Sequence, residues 1–375
     1  MRPAWRRIHL ALGLALGGFF ALLGLTGSVL VFYVEIDRWL HPLPAQATQP
    51  RPPLEAYAAT LAASFPERTG SWRIEFPDDD TAPIAARYYQ PAERAHREFA
   101  PLLVTLDPVT AEVVRQRFWG DDALTWIYDL HYSLLADRGG RWAVGALGVF
   151  LLMSLASGVY LAWPRRRRWR TLFRLRPRRG AARATYDVHV AGGTYGGLAL
   201  VVLAFTGAVL ALPEWVKPGL ASASPLFEPP TLTAQAQGRT RLPLDELVAA
   251  ARREFPRARL AWVETPASHT GVFRINLHQQ GEPGRRFPRT NVWLDPYSGA
   301  VLATRDGLQE SRGDGFLNWM HPLHNGEALG LAGRLVVFVA GLLPTLLLTT
   351  GVLRWRQKGA AQAHRAPRGR TGSPS

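Results

Sequence analysis

Cysteine is absent from all 375 residues. Disulfides, thiolate chemistry, iron–sulfur clusters and cysteine-bound zinc are therefore excluded, and any redox role needs a cofactor held by other side chains. Acidic residues are missing from three short segments. Residues 1–8, 164–184 and 354–375 together hold 19 basic residues and no acid. Removing those 19 from the 44 basic residues leaves 25 against 29 acids, so the rest of the chain is net −4 although the whole is +15. A charge excess confined to segments beside apolar runs is the positive-inside pattern, not a nucleic-acid footprint. No nucleic-acid partner is expected. Walker, HExxH and nucleophile-elbow patterns are also lacking. Gly192-Gly193-Thr194-Tyr195-Gly196-Gly197 looks superficially like a nucleotide loop. It lies within an apolar helix with no strand before it, so the chain carries no NAD or flavin domain of its own.

What the chain does have is four apolar stretches, near 10–34, 142–163, 190–212 and 331–353. Each reaches the roughly 20 residues that a helix needs to cross a bilayer with its backbone polar groups satisfied. The first is read as a retained anchor, because its run of about 25 apolar residues exceeds a signal-peptide core. The basic segments place both termini and the 164–184 loop in the cytoplasm. Residues 35–140 and 213–330 then lie outside, in the periplasm of a Gram-negative cell. The expected order is a cytoplasmic N-terminus and helix (1–34), an outer domain (35–140), a helix (141–163), a basic cytoplasmic loop (164–187), a helix (188–212), a second outer domain (213–330), a helix (331–354) and a disordered basic tail (355–375).

The chain also repeats itself. Placing His9 on His189 superposes Gly13 on Gly193, Gly17 on Gly197, Thr26 on Thr206 and Gly27 on Gly207. Placing His131 on His324 superposes Trp126 on Trp319, Gly140 on Gly333, Arg141 on Arg334 and Gly158 on Gly351. Leu106-Asp107-Pro108 matches Leu294-Asp295-Pro296 in the outer regions. Rare residues at one spacing along whole helices indicate a tandem duplication, with a pseudo-twofold axis along the membrane normal. Residues 54–65 and 244–255 read as amphipathic helices, each followed by strands, so each outer domain is expected to be a separate α+β module.

Four of the ten histidines occupy repeat-equivalent places at helix ends: His9, His189, His131 and His324. Two facing imidazoles on each side of the membrane match bis-histidine haem, which suits electron transfer because no axial position remains open. His9 and His189 each begin His-x-x-x-Gly-x-x-x-Gly. Gly13 and Gly17, like Gly193 and Gly197, share the histidine's helix face and remove side chains that would collide with a flat macrocycle. Close helix packing is the alternative use of such glycines. Arg141 and Arg334 sit where propionates would want cations, or where interfacial arginines snorkel. In His321-Pro322-Leu323-His324 either histidine could ligate; the repeat favours His324, because His321 aligns with Tyr128. His9 to Thr26 spans about 26 Å along a straight helix.

These residues carry a family resemblance. Trp5-Arg6-Arg7-Ile8-His9, Thr26-Gly27, Leu130-His131, His189 and Leu323-His324-Asn325-Gly326 resemble the PepSY-associated transmembrane helix family, also called iron-regulated membrane proteins. The resemblance implies an α-helical protein with four transmembrane helices as a tandem duplication and two α+β PepSY-like extracytoplasmic domains. It implies an inner-membrane location and two haem b groups on His9, His189, His131 and His324. It further implies reduction of a ferric siderophore or another periplasmic acceptor, with electrons from a quinol or a cytoplasmic reductase. Two other readings stand beside it. One is a membrane-anchored PepSY module that binds a peptide or peptidase. The other is a solute or siderophore permease, which would need a broken helix or a polar midplane site, with Pro344 the candidate kink.

Overall fold

The computed structural model describes residues 2–43, 50–79, 81–163, 180–236 and 238–363. Most of the arginine-rich loop, residues 164–179, and the tail after 363 lie outside the described residues. In chain order the first half holds α1 (Arg2–Ala15), α2 (Gly17–Val31), α3 (Tyr33–Leu40), α4 (Leu54–Ser64), β1 (Trp72–Glu75), β2 (Ile84–Tyr88), β3 (Leu102–Leu106), β4 (Val113–Phe118), α5 (Ala123–Ser133) and α6 (Asp137–Ala162). The second half repeats this order as α7 (Ala181–Tyr195), α8 (Gly197–Ala211), α9 (Pro213–Ala221), α10 (Leu244–Glu254), β5 (Arg259–Glu264), β6 (Phe273–His278), β7 (Thr290–Leu294), β8 (Val301–Arg305), α11 (Arg312–Asn325) and α12 (Gly330–Ala363).

The expected set of four transmembrane helices is not what the chain forms. Among the described residues, two helices are unbroken, long and apolar enough to cross a membrane: Asp137–Ala162 and Glu327–Gln362. The other two apolar stretches are bent pairs, α1 with α2 at 57° and α7 with α8 at 58°. Each pair counts as a span only if its two arms are taken together. The breaks fall at Leu16 and Gly196, beside Gly17-Gly18 and Gly197, where glycines lower the cost of leaving helical geometry. Pro344, the anticipated kink, lies inside the unbroken α12 instead. α12 also runs on to Ala363, past the anticipated start of the tail.

The expectation of two separate outer modules is overturned as well. The strands form one eight-stranded antiparallel sheet in the order β4-β3-β2-β1-β5-β6-β7-β8. The seam is β1 against β5, with Arg73 opposite Glu264, Ile74 opposite Val263 and Glu75 opposite Trp262. Each half alone would leave its first strand as an open edge; joining them satisfies both rows of backbone groups. Helices α4 and α10 cover one face. Tyr57, Leu61, Leu247 and Val248 pack there against Ile74, Ile84, Leu106, Ile275 and Leu294 in a shared core. The chain is thus a mixed α/β protein with a helical bundle beneath a single sheet.

Two local devices recur in both halves. Asp107 caps its own turn by accepting from the Val109 and Thr110 amides, and Asp295 does the same for Tyr297 and Ser298. Gly140 and Gly333 sit where α6 and α12 begin. A Cβ there would collide with the carbonyl of Ser133 or of Gly326, so only glycine permits the tight turn out of α5 and α11.

Candidate functional site

The bundle brings the repeat-equivalent histidines together in two pairs. His9 on α1 and His189 on α7 have ring centres 6.2 Å apart, with ring planes at 83°. His131 on α5 and His324 on α11 have ring centres 6.2 Å apart, with planes at 46°. Each of the four histidines is half-buried. His321 lies one helical turn before His324. Its ring meets Phe287 edge-on at 4.8 Å, and its Nδ1 is 3.7 Å from the Glu327 carboxylate.

One construction fixes all four rings. His9 Nδ1 is 2.9 Å from Ser157 Oγ, and His189 Nδ1 is 2.9 Å from Thr350 Oγ1. His131 Nδ1 is 3.0 Å from Thr26 Oγ1, and His324 Nδ1 is 3.0 Å from Thr206 Oγ1. Those hydroxyls are buried and already donate to backbone carbonyls of their own helices: Ser157 to Ser154, Thr350 to Leu346, Thr26 to Leu22 and Thr206 to Val202. With its proton spent, each hydroxyl can only accept. The imidazole must therefore donate from Nδ1, which leaves Nε2 with the free lone pair.

A glycine follows each hydroxyl residue and lies against the ring. A Cβ on Gly27 would stand 2.9 Å from His131 Cε1, and one on Gly207 2.9 Å from His324 Cε1. On Gly158 it would stand 3.2 Å from His9 Cε1, and on Gly351 3.6 Å from His189 Cε1. The sequence reading missed the hydroxyls of Ser157 and Thr350. Thr26-Gly27 and Thr206-Gly207 stand out in the sequence as repeated small residues at the outer helix ends, where they could flank a haem, but not as partners of the histidines. A repeated Ser/Thr-Gly dipeptide in apolar surroundings was the available signal.

The remaining sequence candidates divide. Around Gly13 and Gly197 an added Cβ meets nothing within 4 Å, and at Gly193 it meets only Leu347 at 3.9 Å. Gly17 is different: Leu348 fills the space at 2.7 Å, so this glycine serves helix packing. Arg141 is held by Glu98 at 3.2 Å and Glu214 at 3.5 Å. Arg334 is held by Glu35 at 2.7 Å and donates to the Val31 carbonyl. Both arginines are engaged with the protein itself.

Above the second histidine pair, a cavity of about 1370 Å³ runs from His131, His321 and His324 up to the uncovered face of the sheet. Chemically, each histidine pair offers two nitrogen ligands and nothing more. Among the described residues no group of three or more His, Asp or Glu side chains converges on one point. Such pairs suit a group that brings its own equatorial ligands rather than a bare ion.

Apolar spans, bent helices with paired histidines, and a covering sheet define a membrane protein with an extramembrane β layer. The chain belongs to the family of PepSY-associated transmembrane regions, whose model matches residues 6–358. It is similar to an uncharacterised protein of Pseudomonas aeruginosa, 29% identical over 259 residues. That match covers 64% of this chain and 64% of the relative's length.

Proposed function

We propose that this protein is an electron carrier of the bacterial inner membrane that holds two haem b groups and reduces a ferric chelate, releasing Fe(II). The observation that carries the reading is the two histidine couples with one common ring separation. His9 with His189, and His131 with His324, would each hold one haem through their unprotonated Nε2 atoms. Both pairs stand at 6.2 Å. A haem bound there would supply a reversible one-electron Fe(III)/Fe(II) couple.

The protein's own residues do the rest. Thr26, Thr206, Ser157 and Thr350 select the Nδ1–H tautomer and the ring orientation. The open faces at Gly13 and Gly193 leave room for a planar group beside the first pair. Each ferric ion takes one electron, from a quinol or a cytoplasmic reductase. Reduction releases the metal because hard-oxygen chelators hold Fe(III) far more tightly than Fe(II). The basic segments support cytoplasmic termini, with the sheet on the other side in the periplasm.

The bent helices meet one condition of the permease reading. The second arms open with Phe20 donating to the Leu16 carbonyl and Leu200 to that of Gly196. What counts against a transport site is that none of the four apolar runs carries a charged residue near its middle. The deciding test is a reduced-minus-oxidised absorption spectrum of purified protein, with haem counted per chain. Two low-spin b-type haems are expected. Colourless protein from haem-replete cells would reject the reading in favour of a peptide-binding module.

A further inference from the structure

The cavity beneath the sheet is bordered by many arginines, and most are matched by acids. Asp37 holds Arg115 and Arg117, at 3.0 and 3.3 Å. Glu35 holds Arg334, and Glu75 holds Arg87 at 3.1 Å. Arg286, on the loop between β6 and β7, is different. Its guanidinium lies 4.0 Å from the centre of the Tyr33 ring and 5.8 Å from that of Phe287. Among the described residues no hydrogen bond or ion pair reaches it. Burial pushes its pKa down to about 10, partly offset by the more distant Glu327 carboxylate, so it is charged at neutral pH. A half-buried cation whose counter-charge, Glu327, does not touch it is costly, and the cost falls when an anion enters beside it. A second wall residue, His278, has its Nε2 buried without a partner.

We propose that Arg286 is the anchor for a carboxylate-bearing ligand in this cavity. The planar fork of a guanidinium takes a carboxylate through two parallel hydrogen bonds, and two aromatic rings already hold this one in place. Resting on the functional reading above, the carboxylate has two sources: a propionate of the haem at His131 and His324, or a carboxylate of the ferric chelate. Either would find Arg286 in the cavity that the histidine pair also lines. Neither Arg141 nor Arg334 is free to take its place.

The test uses the full-length purified protein and three variants: Arg286→Gln, Arg286→Lys, and Arg253→Gln on the exposed side of α10 as a control. Two quantities are read, haem per chain and the affinity for radio-iron-labelled ferric citrate by equilibrium dialysis. If the substrate supplies the carboxylate, Arg286→Gln weakens ferric citrate binding about tenfold or more at unchanged haem content. If the propionate supplies it, Arg286→Gln loses up to one haem per chain. Arg286→Lys keeps the charge without the fork and shows a partial loss in the same quantity, so it carries the test should the Gln variant misfold. Haem content and affinity both equal to those of Arg253→Gln would overturn the proposal. Colourless wild-type protein that still binds ferric citrate through Arg286 would remove the electron-transfer reading and leave the anchor standing.

Discussion

At the scale of single residues, the hydroxyl and glycine beside each histidine divide the work. The hydroxyl sets the tautomer, and the glycine lets the ring approach the helix. Gly27→Ala brings a methyl to 2.9 Å from His131 Cε1, tighter than van der Waals contact allows, so the ring must move. We expect Gly27→Ala to lose one of two haems while the His9 and His189 site keeps its own. Thr26→Val preserves shape and deletes the acceptor. It should weaken haem retention at the same site by about 10- to 100-fold, the usual cost of losing a partner that orients a ligand. Haem per chain after gel filtration reads both. Full retention in both variants would mean that His131 is held by something else. These hydroxyls were only half legible in the sequence. Thr26 and Thr206 stood out through the repeat, but Ser157 and Thr350 are lost among other hydroxyls in apolar helices, such as Ser154 and Thr349. Only the tertiary contact with a histidine on a different helix distinguishes them.

At the scale of elements, the two halves cap each other's helices. The Asp245 carboxylate, in the first turn of α10, accepts from the Leu54 and Glu55 amides that open α4, at 2.8 and 3.0 Å. In return, Glu55 accepts from the Leu244 amide that opens α10, at 2.7 Å. Neither helix has a capping side chain of its own, since prolines precede both. Each carboxylate thus satisfies orphan amides and meets the positive end of the opposite helix. We expect Asp245→Ala and Glu55→Ala each to cost about 1 kcal/mol, the usual value of a cap. The double variant should cost less than the sum if the two caps support one interface. Thermal unfolding in detergent measures this, and an unchanged midpoint in Asp245→Ala would show that water caps α4 equally well. Helices 54–65 and 244–255 were legible from their apolar spacing. Their reciprocal capping was not, because an acid in a helix's first turn normally reads as serving that helix alone. The breaks at Leu16 and Gly196 were hidden for a related reason. Hydropathy measures the length of an apolar run and is blind to its direction, so the straight path of about 26 Å from His9 to Thr26 does not apply to a helix bent by 57°.

At the scale of the molecule, the duplication visible in the sequence does not produce two units side by side. Alternating strands announced a sheet in each half but carried no sign of which edge would meet which, and the two sheets fuse through β1 and β5. The same interlocking governs the site. Each histidine leans on a hydroxyl from its own half: His9 on Ser157, His131 on Thr26, His189 on Thr350 and His324 on Thr206. Its facing imidazole always comes from the other half. One half therefore contains two correctly oriented histidines and no complete pair. This can be tested by dividing the chain within 164–179 and expressing the pieces separately or together. Co-expressed halves should associate through the β1–β5 seam and bind two haems, while either half alone should hold neither group in six-coordinate form. A first half that binds haem alone, low-spin and at full stoichiometry, would contradict the pairing across the repeat. Two halves that associate but stay colourless would separate the assembly of the fold from the chemistry proposed for it.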